Sequence, residues 1–98
     1  MTRVPTDEAR AGRQSAWRDV NENIATLAGR LASALSDTDR SWTFMCECGA
    51  ADCREMLSVT LGAYRAARAC DRYLVWPGHE VASDRVVERH DDYLVVAP

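Results

Sequence analysis

The chain contains no lysine, and all twelve of its basic residues are arginine. Fifteen Asp and Glu residues outnumber them, which leaves a formal net charge of −3. The excess of acidic residues lies in residues 41–98, since residues 1–40 carry equal numbers of Arg and Asp/Glu. Proteins that bind nucleic acid without sequence preference are usually basic, so the overall charge argues against that class.

Long apolar runs are also absent. No stretch approaches the roughly 20 apolar residues that a membrane-spanning helix needs. The N-terminal residues lack the apolar centre of a signal peptide, and no glycine-rich phosphate loop is present. We therefore expect a cytoplasmic protein, in which clustered cysteines bind metal or carry redox chemistry more often than they form disulfides.

The chain length indicates one small domain. A domain of 98 residues buries only roughly 60–65% of the surface that its unfolded chain exposes. Domains of this size often need a disulfide, a metal or a partner subunit for stability.

Apolar residues recur at helical spacing in the first part of the chain, after a polar N-terminal segment. Residues 1–13 are polar and predict a flexible tail, whereas residues 14–35 predict an amphipathic helix that ends at the polar residues 36–39. The apolar stripe of this helix consists of Trp17, Val20, Ile24, Leu27 and Leu31, followed by Ala34 and Leu35. The stripe either packs on the rest of the chain or forms a homodimer through the 14–35 helix.

Residues 41–98 predict a small α+β domain, with one short helix and antiparallel strands. The helix covers about 61–70 and buries Leu61, Tyr64 and Ala67, with Thr60 as its N-cap. The strands are predicted over 41–47, 54–60, 72–76, 85–89 and 93–97. The first two should form a hairpin with cysteines at its tip, and the last two a terminal hairpin.

Three of the four cysteines lie within eight positions, as Cys46, Cys48 and Cys53. Three thiolates and one imidazole are a common ligand set of structural zinc, so this cluster predicts a metal site. We favour His79 as the fourth ligand because the preceding Pro-Gly turn can direct its ring towards the hairpin. Cys70 is the rival fourth ligand, although we expect it to be a buried free thiol. His90 belongs to the tip of the terminal hairpin.

Neighbouring residues suggest how such a site is supported. Gly49 permits a turn in which backbone amides point at a sulfur. Arg54 could neutralise the negative charge of the site, and Glu80 either orients a ligand ring or forms an exposed ion pair. Inert thiols, a redox pair and an iron–sulfur site are the other interpretations of the cysteine cluster.

Residues 42–96 resemble a family of small uncharacterised bacterial zinc-binding proteins. The shared motifs are F-x-C-E-C with a third cysteine at Cys53, the helix segment 59–68, the Pro-Gly-His-Glu turn at 77–80 and the segment 84–96. This chain departs from the family in its short helix, where Gly62, Ala63 and Arg65 replace acidic residues. The resemblance implies the zinc ligands Cys46, Cys48, Cys53 and His79.

A closed shell of four protein ligands leaves no position for a catalytic water, so we expect no enzyme. The deaminase signature H-x-E…P-C-x-x-C is also absent. The first hypothesis is a zinc-stabilised regulatory protein that binds another protein, with Trp17, Trp42 and Trp76 as candidate contacts. The alternative is a nucleic-acid-binding transcriptional regulator, in which Arg65, Arg68 and Arg72 form one helix face that contacts phosphates.

Overall fold

Two helices and two small antiparallel sheets form the protein in a computed structural model, which describes residues 6–35, 40–81 and 84–97. This architecture confirms the predicted α+β class. In chain order the elements are α1 (Thr6–Leu35), β1 (Ser41–Met45), β2 (Met56–Thr60), α2 (Leu61–Ala69), β3 (Tyr73–Val75), β4 (Arg85–Arg89) and β5 (Leu94–Ala97).

Helix α1 begins at Thr6, so the prediction of a flexible tail is wrong for residues 6–13. Contacts with distant parts of the chain explain the difference, since Arg10 and Arg13 donate hydrogen bonds to backbone carbonyls near residue 48. Such long-range contacts produce no periodic pattern of apolar residues in the sequence. Residues 1–5 and the predicted turn at 36–39 lie outside the described residues. Within the described ranges, no helix is both long and apolar enough to cross a bilayer.

The buried face of α1 differs from the predicted one. It consists of small and polar residues, namely Gln14, Asn21, Ala25, Ala28 and Ala32. Alanine side chains let the helix approach the hairpin closely, and Asn21 replaces apolar packing with hydrogen bonds. Its amide nitrogen donates to the Met45 carbonyl at 2.9 Å, and its oxygen accepts from the Met45 amide at 2.8 Å.

The predicted apolar stripe is therefore largely uncovered. Val20, Leu27 and Leu31 are 39%, 58% and 51% exposed, and these three residues are called the α1 stripe below. Trp17 and Ile24, which belong to the same predicted face, are half-buried.

Strands β1 and β2 form the predicted hairpin, with Ser41 opposite Thr60 and Met45 opposite Met56. The cysteine-containing loop connects the two strands at the tip of the hairpin. Helix α2 follows directly, and its N-cap is the predicted Thr60, whose hydroxyl accepts from the Ala63 amide at 3.2 Å. The predicted residues Leu61, Tyr64 and Ala67 are buried. The Tyr64 ring stacks on Phe44, with 4.5 Å between the ring centroids.

The second sheet has the order β3-β5-β4. The terminal hairpin of β4 and β5 matches the prediction, with an irregular register between Val86 and Glu88. Because β5 is the central strand, its residues Leu94, Val95 and Val96 are all buried. Strand β3 runs beside the cysteine loop, where the Glu47 amide donates to the Leu74 carbonyl at 2.8 Å. His79 follows β3 in the connection to β4.

Because of the hydrogen bonds of Asn21, we expect alanine substitution to lower the free energy of unfolding much more at Asn21 than at the nearby Asn23. Asn21→Ala removes a completely buried side chain and its hydrogen bonds to the Met45 backbone, so we expect a loss of about 2–4 kcal/mol in the free energy of unfolding. Asn23→Ala changes an exposed residue of the same helix and should cost no more than about 0.5 kcal/mol. Denaturant unfolding of both variants measures the difference, and equal effects would contradict the assignment of this face.

Candidate metal centre

The four predicted ligand residues lie together at the meeting point of two segments. Cys46, Cys48 and Cys53 belong to the loop after β1, and His79 belongs to the turn after β3. Their ligand atoms all lie within 4.8 Å of one another. The His79 Nδ1 atom is 3.7 Å from the Cys46 sulfur and 3.4 Å from the Cys53 sulfur.

These separations fit a tetrahedral metal ion. Metal–sulfur bonds of about 2.3 Å and metal–nitrogen bonds of about 2.0–2.1 Å place the ligand atoms of a tetrahedral site roughly 3.5–3.8 Å apart. The donor set therefore fits one ion with small adjustments of the side chains. The structure thus contains a Cys3His cluster that can hold a metal ion.

Backbone turns direct the ligands inwards. Gly49 has a φ of +79°, a conformation that other residues rarely adopt. A Cβ atom at Gly49 would also lie 2.7 Å from atoms of Arg10 and Gln14. At the second segment Gly78 has a φ of +95°, and the His79 amide closes the turn on the Trp76 carbonyl at 2.9 Å.

Two backbone amides point at the sulfurs, as expected for thiolate ligands. The Trp76 amide lies 3.1 Å from the Cys46 sulfur, and the Ala50 amide lies 3.4 Å from the Cys48 sulfur. Burial raises the pKa of the Cys46 and Cys53 thiols above its usual range. A bound cation reverses this effect, because thiolate ligands lose their protons to the metal.

Glu47 lies between two of the ligands and is completely buried. Its carboxylate accepts hydrogen bonds from Arg68, from the Asn21 side chain at 2.7 Å and from the Leu74 amide at 3.0 Å. Burial alone lowers the pKa of Arg68, but its bonds with Glu47 and Tyr64 raise it overall. This network connects the cysteine loop to α1, α2 and β3. No local pattern in the sequence predicts this role of Glu47.

The rival ligand Cys70 and the second histidine, His90, lie outside the cluster. Cys70 is the C-cap of α2 and is exposed, so the expectation that its thiol is buried is wrong. The end of α2 leaves this side chain at the surface. His90 lies 2.9 Å from the Glu88 carboxylate and stacks on Tyr93. Among the described residues, the metal-binding group consists of Cys46, Cys48, Cys53 and His79 alone.

Of the two neighbouring side chains considered in the sequence, Glu80 has a role other than those expected and Arg54 lies beside the cluster as expected. The Glu80 carboxylate accepts from the Gly78 amide at 2.9 Å, so it stabilises the turn before His79. This contact is neither a bond to a ligand ring nor an exposed ion pair. Arg54 donates to the Cys53 carbonyl at 2.8 Å and thus holds positive charge beside the cluster.

The three arginines of the predicted phosphate-contacting face differ in exposure. Arg68 is turned inwards to Glu47, and its side chain is only 12% exposed. It also donates to the Arg72 carbonyl at 2.8 Å. Arg65 is exposed and Arg72 is half-buried. The expected row of three solvent-facing arginines is therefore not present.

An open cleft of about 620 Å³ gives solvent access to the cluster. Its walls include Arg10, Arg13, Cys53, Arg54 and His79. Arg10 and Arg13 were assigned to a flexible tail in the sequence analysis, where no local pattern connects them to the cysteines. The buried Gln14 and Asn21 are likewise polar, so apolar periodicity gave no signal of this face.

Comparison with protein-family models, with curated proteins and with solved structures found no match.

The geometry predicts opposite results for two cysteine variants. Cys48→Ser removes a donor from the cluster and should sharply lower metal affinity, whereas Cys70→Ser changes an exposed residue outside the cluster and should leave one ion bound per chain. Competition of each metal-loaded variant against a chelator measures affinity and stoichiometry. Equal losses in both variants would show that Cys70 is a ligand.

Proposed function

We propose that this chain is a non-enzymatic structural-zinc module that acts as a regulatory protein through contacts with another protein. The observation that carries the proposal is the donor set, because Cys46, Cys48, Cys53 and His79 supply all four positions of a tetrahedral shell. Catalytic zinc sites keep one position for water or substrate. A shell closed by the protein itself favours a structural role.

Zinc is the metal that this donor set favours. Three soft thiolates and one imidazole select zinc over hard cations such as Mg²⁺ and Ca²⁺, which prefer oxygen donors. The ion joins the cysteine loop to the turn after β3, and in a chain of this size binding energy at such a site contributes directly to folding.

The α1 stripe is the surface that supports a binding role. Val20, Leu27 and Leu31 lie on one side of a 30-residue helix and are exposed, whereas the buried residues of that helix lie on another side. Their spacing of seven and four residues is that of a seam between two helices. The partner chemistry that fits the stripe is therefore a second apolar helix face.

A second copy of the chain supplies such a face. Each copy brings the same stripe, as a two-fold interface requires. Asp19 and Arg30 are exposed near opposite ends of the stripe. An antiparallel pair brings Asp19 of one copy near Arg30 of the other, whereas a parallel pair places like charges side by side. We therefore propose that two copies of the chain form an antiparallel homodimer through α1.

A charge placed in the α1 stripe tests this function. For the zinc-loaded full chain we expect a dimer whose fraction rises with concentration in sedimentation equilibrium. Leu27→Glu should make the protein monomeric with unchanged zinc content, because a carboxylate in an apolar seam lacks a partner. Met56→Glu is the matched control, since Met56 on β2 is also 58% exposed but lies outside the stripe. It should leave the dimer intact.

Two results would contradict this account. A parent protein that stays monomeric at every concentration would exclude self-association through α1. Equal weakening by Leu27→Glu and Met56→Glu would show that the stripe is not the interface.

A further inference from the structure

Arg10 connects the two segments that supply the metal ligands. Its Nε atom donates to the Cys48 carbonyl at 2.8 Å, and its Nη2 atom lies 3.5 Å from the Asp84 carboxylate. Asp84 in turn accepts from the Val81 amide at 3.2 Å, two residues after His79. One guanidinium group on α1 therefore holds both the cysteine loop and the segment of His79.

The neighbouring residues of α1 contact the cysteine loop directly. Arg13 donates to the Gly49 carbonyl at 2.6 Å, and Gln14 is buried against the same turn. The contact is so close that a Cβ atom at Gly49 would overlap Arg10 and Gln14. The segment 6–14 thus covers the turn that connects Cys48 to Cys53 through three of its side chains, Arg10, Arg13 and Gln14.

We infer that residues 6–14 form a gate that controls the release of the bound metal. Cys48, Cys53 and His79 border the open cleft, but the side chains of Cys46 and Cys48 are almost completely buried. The Cys48 sulfur leaves the metal only when its own backbone moves, and Arg10 and Arg13 hold that backbone by its carbonyl oxygens. Metal release therefore requires local opening of the first turns of α1.

Electrostatic attraction also stabilises the metal-loaded state. Three thiolates, a neutral imidazole and a divalent ion leave about one net negative charge at the site. The positive charges of Arg10 and Arg13 lie against the loop and stabilise the loaded state. Coupling is reciprocal, so a bound metal also favours the docked position of residues 6–14. This inference depends on the metal site alone and not on the partner of the α1 stripe.

Removal of the two guanidinium groups is the first test. We expect the variant with Arg10→Ala and Arg13→Ala, loaded with Co²⁺, to transfer its metal to excess EDTA about tenfold faster, because charge-assisted hydrogen bonds no longer hold the loop. The Co²⁺ spectrum should stay unchanged, since every ligand remains. Arg89→Ala, which changes an exposed arginine of β4, should transfer metal at the parent rate. An unchanged rate in the double variant would overturn the inference.

A stabilising substitution tests the gate without removing any contact. A Cβ atom at Gly12 meets nothing within 4 Å, so Gly12→Ala strengthens the first turns of α1 and should slow metal transfer about fivefold. Gly62→Ala is the matched control, because Gly62 lies in α2 and its Cβ position is equally open. This control should transfer metal at the parent rate. Equal slowing by both variants, or none by Gly12→Ala, would show that release does not pass through the gate.

Discussion

The convergence of three thiol groups and one imidazole on one point is the constraint on which the fold depends. The ligands come from a loop at the end of one sheet and a turn at the end of another, and Cys53 and His79 are 26 residues apart. The two sheets share few strand contacts, since each forms its own ladder. A metal ion bound by both segments would join the two sheets at this point.

The buried carboxylate of Glu47 performs the same joining function from inside the core. It lies between Cys46 and Cys48 in the chain and accepts bonds from α1, α2 and β3. A buried charge is costly unless it is paired and hydrogen-bonded. Any displacement of the cysteine loop breaks these bonds, so the network and the metal shell support each other.

The sequence revealed the site and most strands because those signals are local. Three cysteines within eight positions, a Pro-Gly turn before His79 and the N-cap Thr60 are all readable from neighbouring residues. The buried face of α1 could not be predicted from the sequence. Periodicity predicts that large apolar side chains are buried, whereas this helix buries Gln14, Asn21 and alanines. Residues 6–13 were misassigned for a related reason, since Arg10 and Arg13 are ordered by carbonyls 36 to 38 residues away.

The central claim is a metal shell formed by three sulfurs and one nitrogen, all supplied by the protein. X-ray absorption spectroscopy of the zinc-loaded chain tests it most directly, because it counts the donors and gives their distances. The account predicts three sulfur donors at about 2.3 Å and one nitrogen donor at about 2.0–2.1 Å. A shell of four sulfurs, or one that includes a water oxygen, would contradict it.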